Sequence, residues 1–177
     1  MSDRWMDEQS VTIRPISEED TDLVIKWRNN LRVRGHFVFR ERFTRDLHEN
    51  WLKEKVGRGL VIQYIICIGE ECDPVGSVYF SNVKKDSAEY GIFIGEDSAV
   101  GRGVGTKAGR LLLKEGFERY GFREIFLRVF TDNLAAIKSY EKLGFKTSET
   151  LKEVECSNGE KKDMYLMIIT RERYDQL

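Results

Sequence analysis

Apolar and polar positions along this chain change period several times, and the changes divide it into elements. Val11-Thr-Ile-Arg-Pro15 alternates with the period of a strand. Ser17-Glu-Glu-Asp20 then offers a capping box, so a helix is expected through about Asn29. Thr44 can cap a second helix, on which Leu47, Trp51 and Leu52 fall at helical spacing. Three apolar runs follow, Leu60 to Ile68, Val75 to Phe80 and Ala88 to Ile94, separated by polar turns at Gly69 to Pro74 and Lys84 to Ser87. Apolar runs broken at such short intervals predict an antiparallel meander.

The second half alternates strand and helix. Gly101-Arg-Gly-Val-Gly105 precedes a helical stretch in which Leu113, Phe117 and Tyr120 recur on one face until Gly121. A strand is expected at Glu124 to Val129, and the helical crossover makes it parallel to the run before the glycines. A shorter helix from about Leu134 to Leu143 stops at Gly144, and strands at Lys146 to Glu153 and Lys162 to Ile169 flank a Ser157-Asn-Gly159 turn. The order is mixed α/β throughout. Without an internal repeat or linker, residues 1–177 are expected to form one domain with its core in about 11–170.

Composition narrows the classes. A 41% hydrophobic content beside 33% charged residues is that of a globular domain with a well-solvated surface. No apolar stretch approaches the roughly 20 residues of a membrane helix. The polar start, Met1 to Gln9, has none of the parts of a signal peptide, so a cytoplasmic protein is expected. Cys67, Cys72 and Cys156 show no Cys-x-x-Cys spacing, and with only two histidines neither a zinc site nor a disulfide framework is expected. Cys67, within an apolar run, reads as a buried free thiol in a reducing compartment. A net charge of −1 gives the whole molecule no reason to seek nucleic acid.

Chemistry concentrates in two segments. Glycines at 101, 103 and 105, after a strand and opening a helix, let the backbone approach an anion and turn N–H groups toward it, aided by the helix dipole. Arg102 and Lys107 can reach outlying phosphates, although a glycine run also serves as a plain tight turn. The spacing fits neither a P-loop nor Gly-x-Gly-x-x-Gly. Further on, Asn133, Ala136 and Tyr140 fall within about 60° of one another on a helix, so an amide, a small residue and a phenol share one stripe. Such a stripe can line a ligand chain; equally, Asn133 can cap the helix and Tyr140 can pack in the core.

Together the two segments resemble the GNAT superfamily of acetyl-CoA-dependent N-acetyltransferases. That family's pyrophosphate loop, Gln/Arg-x-x-Gly-x-Gly/Ala, is matched by Val100-Gly-Arg-Gly103-Val-Gly105, with Val100 departing at the first position. Its later motif, Asn-x-x-Ala-x-x-x-Tyr-x-x-x-Gly-Phe, is matched by Asn133, Ala136, Tyr140, Gly144 and Phe145. The resemblance covers about residues 11 to 170. It implies a mixed, mostly antiparallel sheet of about seven strands flanked by about four helices, with strands four and five splayed. It implies acetyl-CoA as co-substrate and no metal.

The resemblance also assigns roles. Pantetheine would pair with strand four near Phe93 and Ile94. The diphosphate would lie on Arg102, Gly103, Val104, Gly105 and Thr106, with Asn133, Ala136 and Tyr140 along the chain of the cofactor. Tyr140 would protonate the leaving thiolate, a phenol near ~10 being matched to a thiol near ~8.5. Glu89, at the start of strand four, is the candidate base, with His36 and His48 as alternatives.

On the acceptor side, Arg28, Arg32, Arg34, Arg40, Arg42 and Arg45 face a single acid, Glu41, and are interleaved with His36, Phe37, Phe39 and Phe43. Arginine forks bind phosphate and aromatic faces stack on bases, so this segment can receive a nucleotide-linked acceptor; it can also be a solvated loop. Trp27-Arg28-Asn29 followed by His48 is similar to the GNAT subgroup acting on nucleotide-linked amino sugars, including pseudaminic-acid pathway enzymes. Trp27, Arg28, Asn29 and His48 are therefore expected to bind a small-molecule amine. The alternatives are a protein N-terminal acetyltransferase of the ribosomal-protein type and a non-catalytic acyl-CoA-binding module. A polyamine is disfavoured beside so many arginines. A homodimer is compatible with the resemblance, and neither nucleic acid nor membrane is expected as a partner.

Overall fold

A computed structural model describes residues 10–177, so the polar start read as lacking a signal peptide lies outside the described residues. Seven strands form one sheet in the order β1-β2-β3-β4-β5-β7-β6. They are β1 (Val11–Pro15), β2 (Ile62–Ile68), β3 (Asp73–Ser81), β4 (Ser87–Ile94), β5 (Glu124–Phe130), β6 (Lys146–Glu155) and β7 (Lys161–Thr170). β2 to β4 are the expected antiparallel meander, β1 adds antiparallel to the outer edge of β2, and β5 runs parallel to β4. The expected α/β fold and strand count are therefore observed.

Alternation along the strands divides the apolar residues between two faces. Tyr64, Ile66, Val78, Phe80, Ala88, Tyr90, Ile125 and Leu127 face α4 (Val104–Lys114), which contributes Ala108, Leu112 and Leu113. Ile65, Cys67 and Phe93 on the opposite face meet Val24 and Trp27 of α1 (Thr21–Asn29) and Val33 of α2 (Leu31–Arg34). α3 (Arg45–Trp51) starts where expected, with Thr44 Oγ1 accepting from the Leu47 N–H at 3.3 Å. α5 (Leu134–Lys142) follows β5, and α6 (Arg171–Tyr174) closes the chain.

Several elements differ from expectation. The expected Ser17 capping box is present, with the Ser17 N–H donating to Asp20 Oδ2 at 2.9 Å, but its turn is a 3-10 turn over Glu18–Asp20 ahead of α1, and Asp20 also forms a bidentate pair with Arg14 at 2.7 and 2.9 Å. α2 and α6, four residues each, are too short to show a period. α4 ends in one π-turn, Glu115–Arg119, which lays the Gly116 backbone against Phe80 and Ile125. Cys67 is buried as expected but is not a free thiol. Cys72, at φ 56° in the β2–β3 turn, folds back and forms a disulfide with it, leaving Cys156 as the free cysteine among the described residues.

Candidate active site

The sheet opens between β4 and β5. The two strands pair over three positions, Ser87 with Glu124, Ala88 with Ile125 and Glu89 with Phe126, and beyond these they have no registered partners across the gap. This is the expected splay. At its apex Glu89, 8% exposed, accepts from Asn82 Nδ2 at 2.6 Å and from Arg128 Nε at 2.8 Å. Glu89 is therefore a buried carboxylate, and its pair with the half-exposed Arg128 ties β4 to β5 where they part.

Along an antiparallel strand, successive residues turn their backbone groups to opposite edges. The Gly95 N–H donates to Val75 O, which assigns the β3-facing edge to Gly95, Phe93 and Gly91 and the open edge to Tyr90, Ile92 and Ile94. Phe93 thus turns its polar backbone away from the split, contrary to expectation. Its side chain, 7% exposed, packs edge-on against Trp27 and Phe37. Ile94 lies on the correct edge, but its carbonyl accepts from Arg32 at 2.9 Å. Ile92 emerges as the central residue of this edge, and finding it required the strand register.

The glycine loop enters α4 just past β4. Gly101 and Gly103 both have φ +74°, where a side chain is strained, and the space around both positions is open. Gly103 is the N-cap and Val104 anchors the turn in the core. Arg102, Val104 and Lys107 line a cavity of about 120 Å³ with Val11, Ile68, Ser98 and Ala99, so both basic residues converge beside the loop. A Cβ added at Gly105 would meet Ile92 Cδ1 at 3.7 Å, an ordinary van der Waals contact. Thr106 has a further job: its hydroxyl bonds Ser139 at 2.9 Å and clamps α4 to α5.

On α5, Asn133 does cap the helix, its Oδ1 accepting from the Ala136 N–H at 3.4 Å, while its Nδ2 lies 3.2 Å from His36 Nδ1. The same side chain thereby joins the donor helix to the loop after α2. Ala136 and Tyr140 pack against the core, with Tyr140 5.8 Å from the Tyr90 ring and 6.1 Å from Phe145. Among the described residues the Tyr140 hydroxyl has no hydrogen-bond partner. Burial first, and then the neighbouring Tyr79, push its pKa above the usual phenol value. The match to a free thiol is thus looser than the sequence suggests.

The structure separates the four residues expected to bind the acceptor. Trp27 is fully buried beneath Gly95, with its Nε1 donating to Glu96 at 2.8 Å. Asn29 holds Phe43 through paired backbone bonds of 2.7 and 2.8 Å. His48 is fully buried, edge-on to Phe43, with neither ring nitrogen partnered among the described residues. Their contacts lie within the fold, because a tryptophan, a short amide and an imidazole between packed helices brace the wall rather than line it. Arg28 differs, and its guanidinium lies 3.7 Å from the Phe37 centroid and 4.7 Å from that of Phe43.

The arginine array is also thinned. Arg32 pairs with Asp97, Arg40 with Glu160, and Arg45 with Asp22 and Glu49. These acids lie outside the segment and are missed by a count along it, although Arg40, 3.7 Å from Glu160, keeps a buried Nε without a partner among the described residues. The loop is further pinned to the β6–β7 turn, where Ser157 N–H donates to Val38 O and Arg40 N–H donates to Ser157 Oγ. No group of histidines, cysteines and carboxylates that could hold a metal occurs among the described residues.

A sheet split between its parallel strands, with a left-handed glycine turn feeding a helix beside the split, defines an acetyl-CoA-dependent N-acetyltransferase. The acetyltransferase (GNAT) domain family matches residues 10–146, and the chain belongs to that family. It is similar to the spermidine N(1)-acetyltransferase of Escherichia coli, at 29% identity over 93% of this chain and 88% of that one. It is also similar to the acetyltransferase PseH of Campylobacter jejuni, at 26% over 73% and 79%. An uncharacterized protein of Methanocaldococcus jannaschii is 30% identical over 84% of this chain, which spans 31% of that longer protein. The crystal structure of a Vibrio cholerae spermidine N-acetyltransferase in complex with CoA and spermine shares the fold. Its TM-score is 0.85 at 22% identity, covering 93% of this chain and 97% of the other. No helix among the described residues is long and apolar enough to cross a membrane.

Proposed function

We propose that this protein transfers the acetyl group of acetyl-CoA to the primary amine of a small molecule that carries phosphate, with a nucleotide-linked amino sugar as the leading acceptor. The observation that carries the reading is the open β4 edge, on which Tyr90 packs its ring 5.8 Å from that of Tyr140. Pantetheine lies along Ile92 and Ile94, and the diphosphate lies on the N–H groups of residues 103–106 with Arg102 and Lys107 beside it. The neutral amine attacks the thioester carbonyl, an N–H of the open edge receives the developing oxyanion, and as the C–S bond breaks Tyr140 gives its proton to the leaving sulfur, while the new amide nitrogen sheds its extra proton to solvent and solvent reprotonates the phenolate. Glu89, with both oxygens engaged, fixes the apex of the split; its service as the base is the competing assignment.

A polyamine acceptor is the second reading, favoured by the two spermidine acetyltransferases that this chain resembles. Against it stands the guanidinium of Arg28, which has no ion pair among the described residues and repels a polycation. Thiol release from acetyl-CoA, measured with a UDP-linked amino sugar, spermidine and a panel of N-terminal peptides, tests the assignment. Turnover with the sugar alone supports it, and preferential turnover with spermidine or a peptide replaces it. CoA binding without release to any amine supports a binding module instead.

A further inference from the structure

We propose that His36 is a positioning residue for the donor: it holds the Asn133 amide in place for acetyl-CoA, and only while its Nδ1 is unprotonated, so protonation of this histidine weakens cofactor binding. The inference rests on the acetyl-transfer reading above and adds to the cofactor site a residue from outside the two donor segments.

The Asn133 side chain is held at both ends. Its Oδ1 caps α5 by accepting from the Ala136 N–H at 3.4 Å, which assigns Nδ2 to the end 3.2 Å from His36 Nδ1. An amide NH2 only donates, so His36 Nδ1 accepts, and the ring is the neutral tautomer with its proton on Nε2. One N–H of Nδ2 and one lone pair of Oδ1 remain for a ligand chain along the α5 stripe. An imidazolium carries an N–H at both ring positions and turns one of them against the Asn133 NH2. The amide then parts from His36 or from the cap, and its alignment is lost either way. The same contact leaves neutral His36 no free lone pair with which to act as the base.

His36 lies in the loop after α2, which is also held from the β6–β7 turn through Val38 O and the Arg40 N–H. Its ring is exposed, so protons reach it from solvent. The charged groups around it are Arg32 of α2, Arg40 of its own loop, Lys162 of β7 and Asp132 just before α5. Asp132 is already engaged by Lys162 at 2.7 Å. Partial burial first, and then Arg32, hold the His36 pKa below the ordinary imidazole value against the pull of Asp132. The ring is therefore neutral, and able to accept from Asn133, at neutral pH.

The test is calorimetric binding of acetyl-CoA to the full chain, without any amine, from about pH 8 to about pH 5, across the range in which an imidazole titrates. It compares wild type with His36→Asn, His36→Ala, Asn133→Ala and the double variant His36→Ala/Asn133→Ala. Asparagine offers a carbonyl oxygen in place of Nδ1 and does not titrate. Near pH 8, His36→Ala should weaken binding roughly threefold to tenfold, the worth of one hydrogen bond, with His36→Asn within about twofold of wild type. As pH falls below the ordinary imidazole value of about 6.5, wild-type affinity should drop toward that of His36→Ala while His36→Asn does not follow. The cofactor's phosphates titrate alike in every variant, so the difference between wild type and His36→Asn isolates the histidine. The sign is diagnostic, because an imidazolium acting by charge alone would strengthen binding of an anionic cofactor. With Asn133 already replaced, removing His36 should change affinity by less than about twofold. Equal pH dependence in wild type and His36→Asn, or a His36→Ala loss that persists undiminished without Asn133, would overturn the inference. A wild type that binds no acetyl-CoA at any pH overturns the acetyl-transfer reading along with it, whereas binding indifferent to His36 overturns this inference alone.

Discussion

Glu89 and Arg128 are expected to stabilise the fold by holding β4 to β5 at the apex of the split. The perturbation is a double-mutant cycle of Glu89→Ala and Arg128→Ala. The Glu89 side chain is 10% exposed and that of Arg128 43%, so the pair lies between a buried bridge, which costs about 3–5 kcal/mol to break, and a surface one near 0.2–1 kcal/mol. A coupling energy of about 1–2 kcal/mol follows. Glu89→Ala alone should cost somewhat more, because it also strips the Asn82 amide of its partner. Urea denaturation at neutral pH measures all four corners of the cycle, with unchanged m-values required for the comparison. Additivity within about 0.3 kcal/mol would refute the clamp. A second readout addresses the base. If Glu89→Gln lowers kcat more than a hundredfold and removes the acidic limb of the pH–rate profile with stability intact, Glu89 is the base and the assignment above is wrong.

Other outcomes follow from the same structure. Tyr140→Phe should lower kcat by about a hundredfold or more with little change in the KM for acetyl-CoA, since the ring packing is kept and only the proton is lost; unchanged kcat removes Tyr140 from the acid role. Burial lowers the His48 pKa, so the unfolded chain takes up its proton first: this contribution to stability is complete above about pH 6.5 and is lost as pH falls through the folded value. His48→Leu should therefore flatten the thermal-unfolding midpoint between pH 7 and 5, with His36→Gln run alongside because burial lowers that histidine too. Gly103→Ala, forced to φ +74° with no steric contact, should cost about 1–2 kcal/mol and raise the KM for acetyl-CoA. In guanidinium without reductant a thiol reagent should label Cys156 alone, and after reduction three cysteines; three without reductant would disprove the Cys67–Cys72 link.

The sequence by itself determined the elements whose signal is local. Apolar runs broken by polar turns located the meander, glycine spacing placed the turn into α4, and the Asn133 to Phe145 pattern marked the donor helix, because each depends on residues a few positions apart. The residues that touch one another across the sheet were decided by tertiary structure. The partners of Arg32 and Arg40 lie 65 and 120 residues away, so a local count of charge read an array part of which the fold pairs with carboxylates from distant elements. Trp27 and His48 look like ligands in a polar string, yet packing of α1 and α3 on the sheet turns both inward. Whether Phe93 or Ile92 faces the split is a matter of strand parity, set by which edge of β4 bonds β3. A one-residue change of register exchanges those edges without changing the apolar pattern that announces the strand.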